Sequence, residues 1–369
     1  MNFVIPATRG AATSIIAVLC QLCLIPVCRA DGPTKMVEVT VGKSTVEGRI
    51  LALDDKTLVL LRRDGGINYV PRSQIADLQQ SSNSFKPTSK DELRTKLVEE
   101  FGANYTVSRT AHFLVVHPPG NYHKWAAPFE ELYLRFGHYF SSRGFQVPDP
   151  EFPLVAVVLN TREEFDRFLS RHQSADPQIL GYYAPNSNRI ITYRQETDPH
   201  TGLPANMQDL STIVHEAAHQ TAFNTGIHSR YSVTPRWASE GLAIMFESRG
   251  VNNSQYFGQL EQRVHRAQLD AMFMLANRGG QQVSIGDLIA SDEAFRSDPN
   301  YAYALSWGLT FFLAETKQRE YFAYLEKSAA AEKFGDYGSR ERLEDFAASF
   351  GGNLDELEQR MWKYLGKLR

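Results

Sequence analysis

A chain of 369 residues with 43% hydrophobic and 22% charged positions has the composition of an ordinary globular protein and room for two domains. Its net charge is −3, and no Lys/Arg block stands out, which argues against nucleic acid as a partner. All three cysteines fall within the first 30 residues. The remainder therefore offers no thiol nucleophile, no disulfide and no Cys-based metal site.

Residues 1–30 read as a secretory signal peptide, with an early cation at Arg9, no acid, an apolar stretch from Ala11 to Val27, and Cys28-Arg29-Ala30 as a cleavage site. The alternative is an uncleaved N-terminal anchor. The expected location is secreted or periplasmic, either free or held at a membrane or cell surface through the N-terminus. Residues 36–80 carry short alternating strands, Val37–Val41, Val46–Leu53, Leu58–Arg63 and Ile67–Val70, separated by turns such as Asp54-Asp55-Lys56 and Asp64-Gly65-Gly66. That spacing predicts a small all-β barrel. Gly42-Lys43-Ser44 imitates the end of a phosphate-binding loop, but Val37 stands where the first glycine belongs, so it reads as a turn.

Residues 81–90 are polar and Ser-rich and read as a linker. From 91 to 369, the pattern predicts a helix at Asp91–Phe101, strands at Tyr105–Val107 and His112–Val116, and a helix at Tyr122–Tyr139. A buried strand at Leu154–Leu159, a helix at Thr161–Ser170 capped by Thr161, and a hairpin of Leu180–Ala184 with Arg189–Tyr193 follow. Helical periodicity dominates from Asn206 onward. The overall expectation is an α+β fold.

The most informative stretch is His215-Glu216-Ala217-Ala218-His219. On a helix, positions i and i+4 project from one face, so both imidazoles can reach one metal ion while Glu216 points into the same cleft. Asn206 or Asp209 can cap that helix, Leu210, Ile213, Val214, Ala217 and Phe223 supply its apolar positions, and Gly226 offers a left-handed stop. Trp237-Ala238-Ser239-Glu240-Gly241-Leu242-Ala243 then reads as a second helix, with Pro235 suited to its start. A carboxylate among Leu242, Ala243, Ile244 and Phe246 is costly to bury unpaired, and a metal would resolve that cost. Two imidazoles and one carboxylate leave zinc an open fourth position, as catalytic sites require. The expected assignments are Zn²⁺ on His215, His219 and Glu240, with Glu216 as general base for a metal-activated water.

His-Glu-x-x-His followed by Trp-x-x-Glu-Gly-x-Ala resembles the gluzincin metallopeptidases of the thermolysin and aminopeptidase-N type, and most nearly a secreted bacterial, peptidase MA-like group of largely unassigned function. The likeness runs from about Leu114 to Leu365. It implies a zincin-like catalytic domain over 91–369, with a mixed-sheet and a helical subdomain, and hydrolysis of peptide or protein substrates. It also implies an oxyanion-stabilising tyrosine. Tyr303, opening Tyr303-Ala304-Leu305-Ser306, has that layout with Ser306 in place of glycine, and Tyr301 competes for the role. The Gly-x-Met-Glu-Asn segment that anchors a free α-amine in aminopeptidases is missing, which favours an endopeptidase. Arg189–Tyr193 is the expected edge strand for aligning an extended peptide. The Gly-Lys opening and Arg-Asp-Gly-Gly hairpin of 36–80 resemble an SH3-like Sla-type homology module, whose ligand the pattern leaves open.

His228 and Arg236, in the connection between the two helices, read as solvated loop residues, the alternative being that they line the cleft. Glu247 reads either as an acceptor for a ligand imidazole proton or as an exposed helix charge. His112, His117, His123 and His138 show no ligand spacing. Besides the zinc peptidase, the sequence admits a catalytically idle zinc-binding adaptor at the cell surface, with the β-module as its working part.

Overall fold

The computed structural model describes residues 35–120, 122–170, 179–194, 208–277 and 283–369. The leader read at 1–30 and the Asn206 cap lie outside the described residues. The chain divides into two compact units, residues 1–89 with 166–175, and residues 90–165 with 176–369. Among the described residues, no helix is long and apolar enough to cross a membrane.

The first unit holds five antiparallel strands, β1 (Lys35–Val41), β2 (Ser44–Leu53), β3 (Thr57–Arg62), β4 (Ile67–Pro71) and β5 (Ile75–Ser84), in the order β4-β3-β2-β1-β5. Alternation places Val37, Val39, Leu58, Leu60 and Val70 in a small core of their own. Asp64 stiffens the β3–β4 turn by accepting from Gly66 N and from Arg62 Nε, each at 3.0 Å. The stretch expected as a linker is in part structured. β5 runs through Ser84, which pairs with Lys35, and Thr88 is buried with its N–H on Arg63 O at 2.6 Å. Its Ser-rich, polar composition conceals this, because the pairing along β1 uses backbone groups alone.

The second unit is built on a mixed sheet of β6 (Thr106–Arg109), β7 (Phe113–His117), β8 (Leu154–Leu159), β9 (Gly181–Ala184) and β10 (Arg189–Tyr193), in the order β6-β7-β8-β10-β9. β7, β8 and β10 run parallel, and β6 and β9 pair antiparallel at the edges. Parallel central strands are covered on both faces, which is why Leu154–Leu159 is apolar and buried throughout. Arg189–Tyr193 is therefore not the edge strand. β10 lies between β8 and β9 and buries Ile190 and Ile191 on both of its faces, and among the described residues β9 is the outermost strand on that side.

The helices are α1 (Lys90–Phe101), α2 (Ala127–Ser141), α3 (Arg162–Leu169), α4 (Gln208–Asn224), α5 (Arg236–Glu247), α6 (Arg266–Ala276), α7 (Pro299–Thr316), α8 (Gln318–Ala329), α9 (Ser339–Phe350) and α10 (Leu354–Gly366), with short helical turns between. The single helix expected at 122–139 is instead a turn at Tyr122–Trp125 and then α2, with Pro128 in the first turn of α2 where its missing N–H costs nothing. α4 lies on the sheet beside α2 and α5. Fully buried Gln220 anchors it there by donating to Val155 O on β8 at 3.1 Å and to Asn188 O at 2.7 Å. α7 is buried on nearly every face from Tyr301 to Ala314, as expected of a central helix, and packs along α5.

Candidate metal centre

α4 carries His215, Glu216 and His219 in its middle turns and ends at Asn224, two residues before Gly226, whose φ of +80° gives the left-handed stop. α5 carries Glu240 into the same space. Two features seat α5. Trp237 is fully buried, stacked on Tyr324 and edge-on to Phe346, each at 5.8 Å. Gly241 sits so close to α7 that a Cβ would stand 2.2 Å from Thr310 Oγ1 and 2.5 Å from Ser306 O. Only glycine permits this approach, and it brings α7 alongside the turn that holds Glu240.

His215 Nε2 and His219 Nε2 are 3.1 Å apart, and each is 3.4 Å from Glu240 Oε2. Ligands about 2.0–2.1 Å from a tetrahedral zinc ion stand roughly 3.3 Å from one another, so the three atoms fit such an ion. The proton inventory agrees. His215 donates its Nδ1 proton to Glu247 Oε1 at 2.8 Å, which leaves Nε2 as a bare lone pair. Two imidazole nitrogens and a carboxylate oxygen converge, and a cation between them satisfies all three. Without one, the carboxylates and imidazoles answer each other. Burial would raise the Glu240 carboxyl, but the charges and hydrogen bonds of His219 and His215 hold it well below its usual range. Burial would lower His215, but Glu240 and Glu247 hold it well above its ordinary value.

Glu247 stands behind the cluster. Burial works against its charge, yet hydrogen bonds from His215 and His265 keep its carboxyl at about 2. His265 Nδ1 accepts from Gln268 N at 3.3 Å, so its proton is on Nε2, 3.1 Å from Glu247 Oε2. Ser211 Oγ adds a third donor at 3.3 Å. The resulting chain fixes the His215 tautomer with Nε2 facing the site. Of the two readings of Glu247, the acceptor is the one observed. Sequence reasoning missed His265 and Ser211, which no local pattern marks.

Glu216 is 8% exposed and accepts from Tyr183 N, on edge strand β9, at 2.7 Å. Burial raises its carboxyl, and the nearby His215 and His219 only partly reverse this. Gly181 makes the approach feasible, since a Cβ there would stand 2.7 Å from Thr212 Cγ2 and 2.9 Å from Glu216 Cγ. Gly181→Ala is therefore expected to force β9 and α4 apart and destabilise the protein by about 1–3 kcal/mol, as overpacking does. Thermal and urea unfolding would measure it, and unchanged stability would mean that the contact has slack.

Tyr303 Oη accepts from Arg236 Nη2 at 2.8 Å, and Arg236 Nε lies 3.7 Å from Glu240 Oε1. Burial, together with the Glu240 charge, pushes the Tyr303 phenol up to about 12. Tyr301, 3% exposed, is influenced by Glu358 and Asp298 instead, so Tyr303 is the tyrosine that borders the cluster. His228 is not solvated, and Arg236, although 40% of its side chain is exposed, does not lie in a loop. Arg236 opens α5, and His228 is 2% exposed, with burial and the neighbouring His219 pushing its imidazole down to about 3. A short connection packed against α4 looks, in sequence, like any polar loop. His112 pairs with Glu130 at 2.7 Å, and buried His117 bonds Pro118 O and Ser108 Oγ, each at 2.7 Å. Among the described residues, neither they nor His123 and His138 join the metal cluster.

A family model described as "Protein of unknown function (DUF1570)" matches residues 209–334, a span that includes His215, Glu216, His219, Glu240 and Tyr303. No curated protein matches the chain. Among solved structures, it is similar to a mutant M1 zinc metallopeptidase from Deinococcus radiodurans, with 14% identity and a TM-score of 0.39 over 72% of this chain. The match covers 51% of the other protein, so the chain spans about half of that peptidase's length.

Proposed function

We propose that the chain is a zinc-dependent endopeptidase whose metal is held by His215, His219 and Glu240. The observation that carries this reading is the convergence of those three donor atoms at 3.1–3.4 Å, with the buried Glu216 carboxylate beside them at the sheet edge. When bound there, zinc would make a water molecule acidic near neutral pH and polarise the scissile carbonyl. The remaining work falls to side chains of this chain. Glu216 Oε1 takes the proton of the attacking water and returns it to the leaving amine. Tyr303, neutral at ordinary pH, donates its hydroxyl to the oxygen on which charge develops. An extended peptide would lie along the outer edge of β9, where backbone groups of the strand can pair with it.

Residues 1–30 would direct the protein out of the cytoplasm. Residues 36–80 would form a separate SH3-like module, 81–90 a connector and 91–369 the peptidase domain. The experiment combines metal analysis with digestion of a broad peptide library. One zinc per chain, together with internal cleavage that a chelator stops and zinc restores, is the expected result. One zinc per chain with no chelator-sensitive cleavage would favour the idle adaptor, and no zinc would remove both readings.

A further inference from the structure

Arg236 is the residue that the motifs leave without a task, and it lies between two groups of the site. It stands four positions before Glu240 on α5, so both side chains share one helix face. Its Nη2 donates to Tyr303 Oη at 2.8 Å, and its Nε lies 3.7 Å from Glu240 Oε1, the oxygen turned away from the two imidazoles. The guanidinium is braced, with its carbon 4.5 Å from the Phe295 ring centre. The backbone N–H of Arg236 is held by Asp292 Oδ1 at 3.3 Å, and Asp292 is itself held by Arg342 at 2.8 Å.

A phenol has one proton and can both donate and accept. With Arg236 donating to Tyr303 Oη, the phenolic proton must point away from the guanidinium. Without Arg236, Glu240 Oε1, which stands 3.7 Å from Nε of the same guanidinium, becomes a competing acceptor for that proton. We propose that Arg236 is a positioning residue that aims the Tyr303 hydroxyl at the oxygen held beside the metal, by occupying the phenol's acceptor side and screening Glu240 from it. This rests on the metal-site reading above and adds that the phenol and the guanidinium act as one unit.

A unit of this kind is non-additive. The test uses the full chain loaded with Co²⁺, whose visible absorption reports the ligand set, and titrates acetohydroxamate as an oxygen-donor probe. Tyr303→Phe is expected to weaken hydroxamate binding about 10-fold, Arg236→Met by a similar factor, and the double variant by no more than about 10-fold, whereas independent contacts would multiply to roughly 100-fold. Arg236→Lys, which keeps a donor near the phenol, should fall between wild type and Arg236→Met. The Co²⁺ spectrum without hydroxamate should be the same in all variants.

Multiplying effects, an unaffected Arg236→Met, or a changed Co²⁺ spectrum in that variant would each overturn the inference, the last by showing that Arg236 acts on Glu240. If wild type shows no Co²⁺ bands, the metal-site reading fails, and the inference falls with it.

Discussion

Glu216→Gln is expected to keep the fold and its zinc while lowering peptide turnover by about 10²–10⁴-fold, the usual range for a lost general base. The substitution preserves shape. A glutamine oxygen can still accept from Tyr183 N, the bond that seats Glu216 against β9. An amide cannot take up a proton, so only the chemical role is removed. The environment suits that role. Burial raises the carboxyl, and the neighbouring imidazoles temper the rise, which leaves a stronger base than an exposed glutamate. Because Glu216 is 8% exposed, the neutral amide should not destabilise the site. Initial rates on the peptide library, zinc content and thermal unfolding are to be read on the same preparations. Retained turnover would sink the mechanism, whereas lost zinc would show that Glu216 is instead a ligand or a structural support.

The parts of this molecule that are legible in sequence follow one rule. Where function depends on spacing within a helix, the residues announce it, as in His215 and His219 at i and i+4 or Glu240 within a largely apolar helix. Where function depends on what a helix meets, they do not. Gly181 looks like a strand-end glycine, and its importance comes from Thr212 and Glu216, more than thirty residues onward. His265 reaches Glu247 from the residue before α6, and the ladder from Gln268 to His215 has no signature because each member lies on a different turn or helix. Gln220 holds α4 to the sheet through backbone carbonyls that any sequence would supply. The edge strand is hard to read for a related reason. A hairpin has two strands, and the one with two adjacent buried isoleucines belongs inside the sheet, a distinction that alternation over five residues hardly resolves. The start of the polar run at 81–90 belongs to β5, because edge pairing needs no apolar side chains.

The second large effect is expected at Glu240. Glu240→Gln should weaken zinc binding well beyond the roughly 10–100-fold that losing an outer-sphere partner costs. Glu247→Gln, which loses only such a partner, should remain within that range. In both variants a carboxylate becomes an amide of equal size on α5. They differ in what they face. Glu240 Oε2 stands 3.4 Å from both ligand nitrogens and supplies the negative charge that two neutral imidazoles lack. Glu247 touches His215 on the far side of its ring. A glutamine there can accept from His215 or from His265 but serves the pair less well, so His215 loosens without being lost. Competition against a chromophoric chelator at fixed pH gives both affinities. A bound ion stabilises the folded state by about 4 kcal/mol when present at a thousand times its dissociation constant. The zinc-induced rise in melting temperature should therefore largely vanish for Glu240→Gln and persist for Glu247→Gln. If Glu240→Gln binds zinc as tightly as wild type, Glu240 is an ion-pair partner of the two histidines and not a ligand. An equal loss in both variants would mean that the charge around the cluster matters and the donor atom does not.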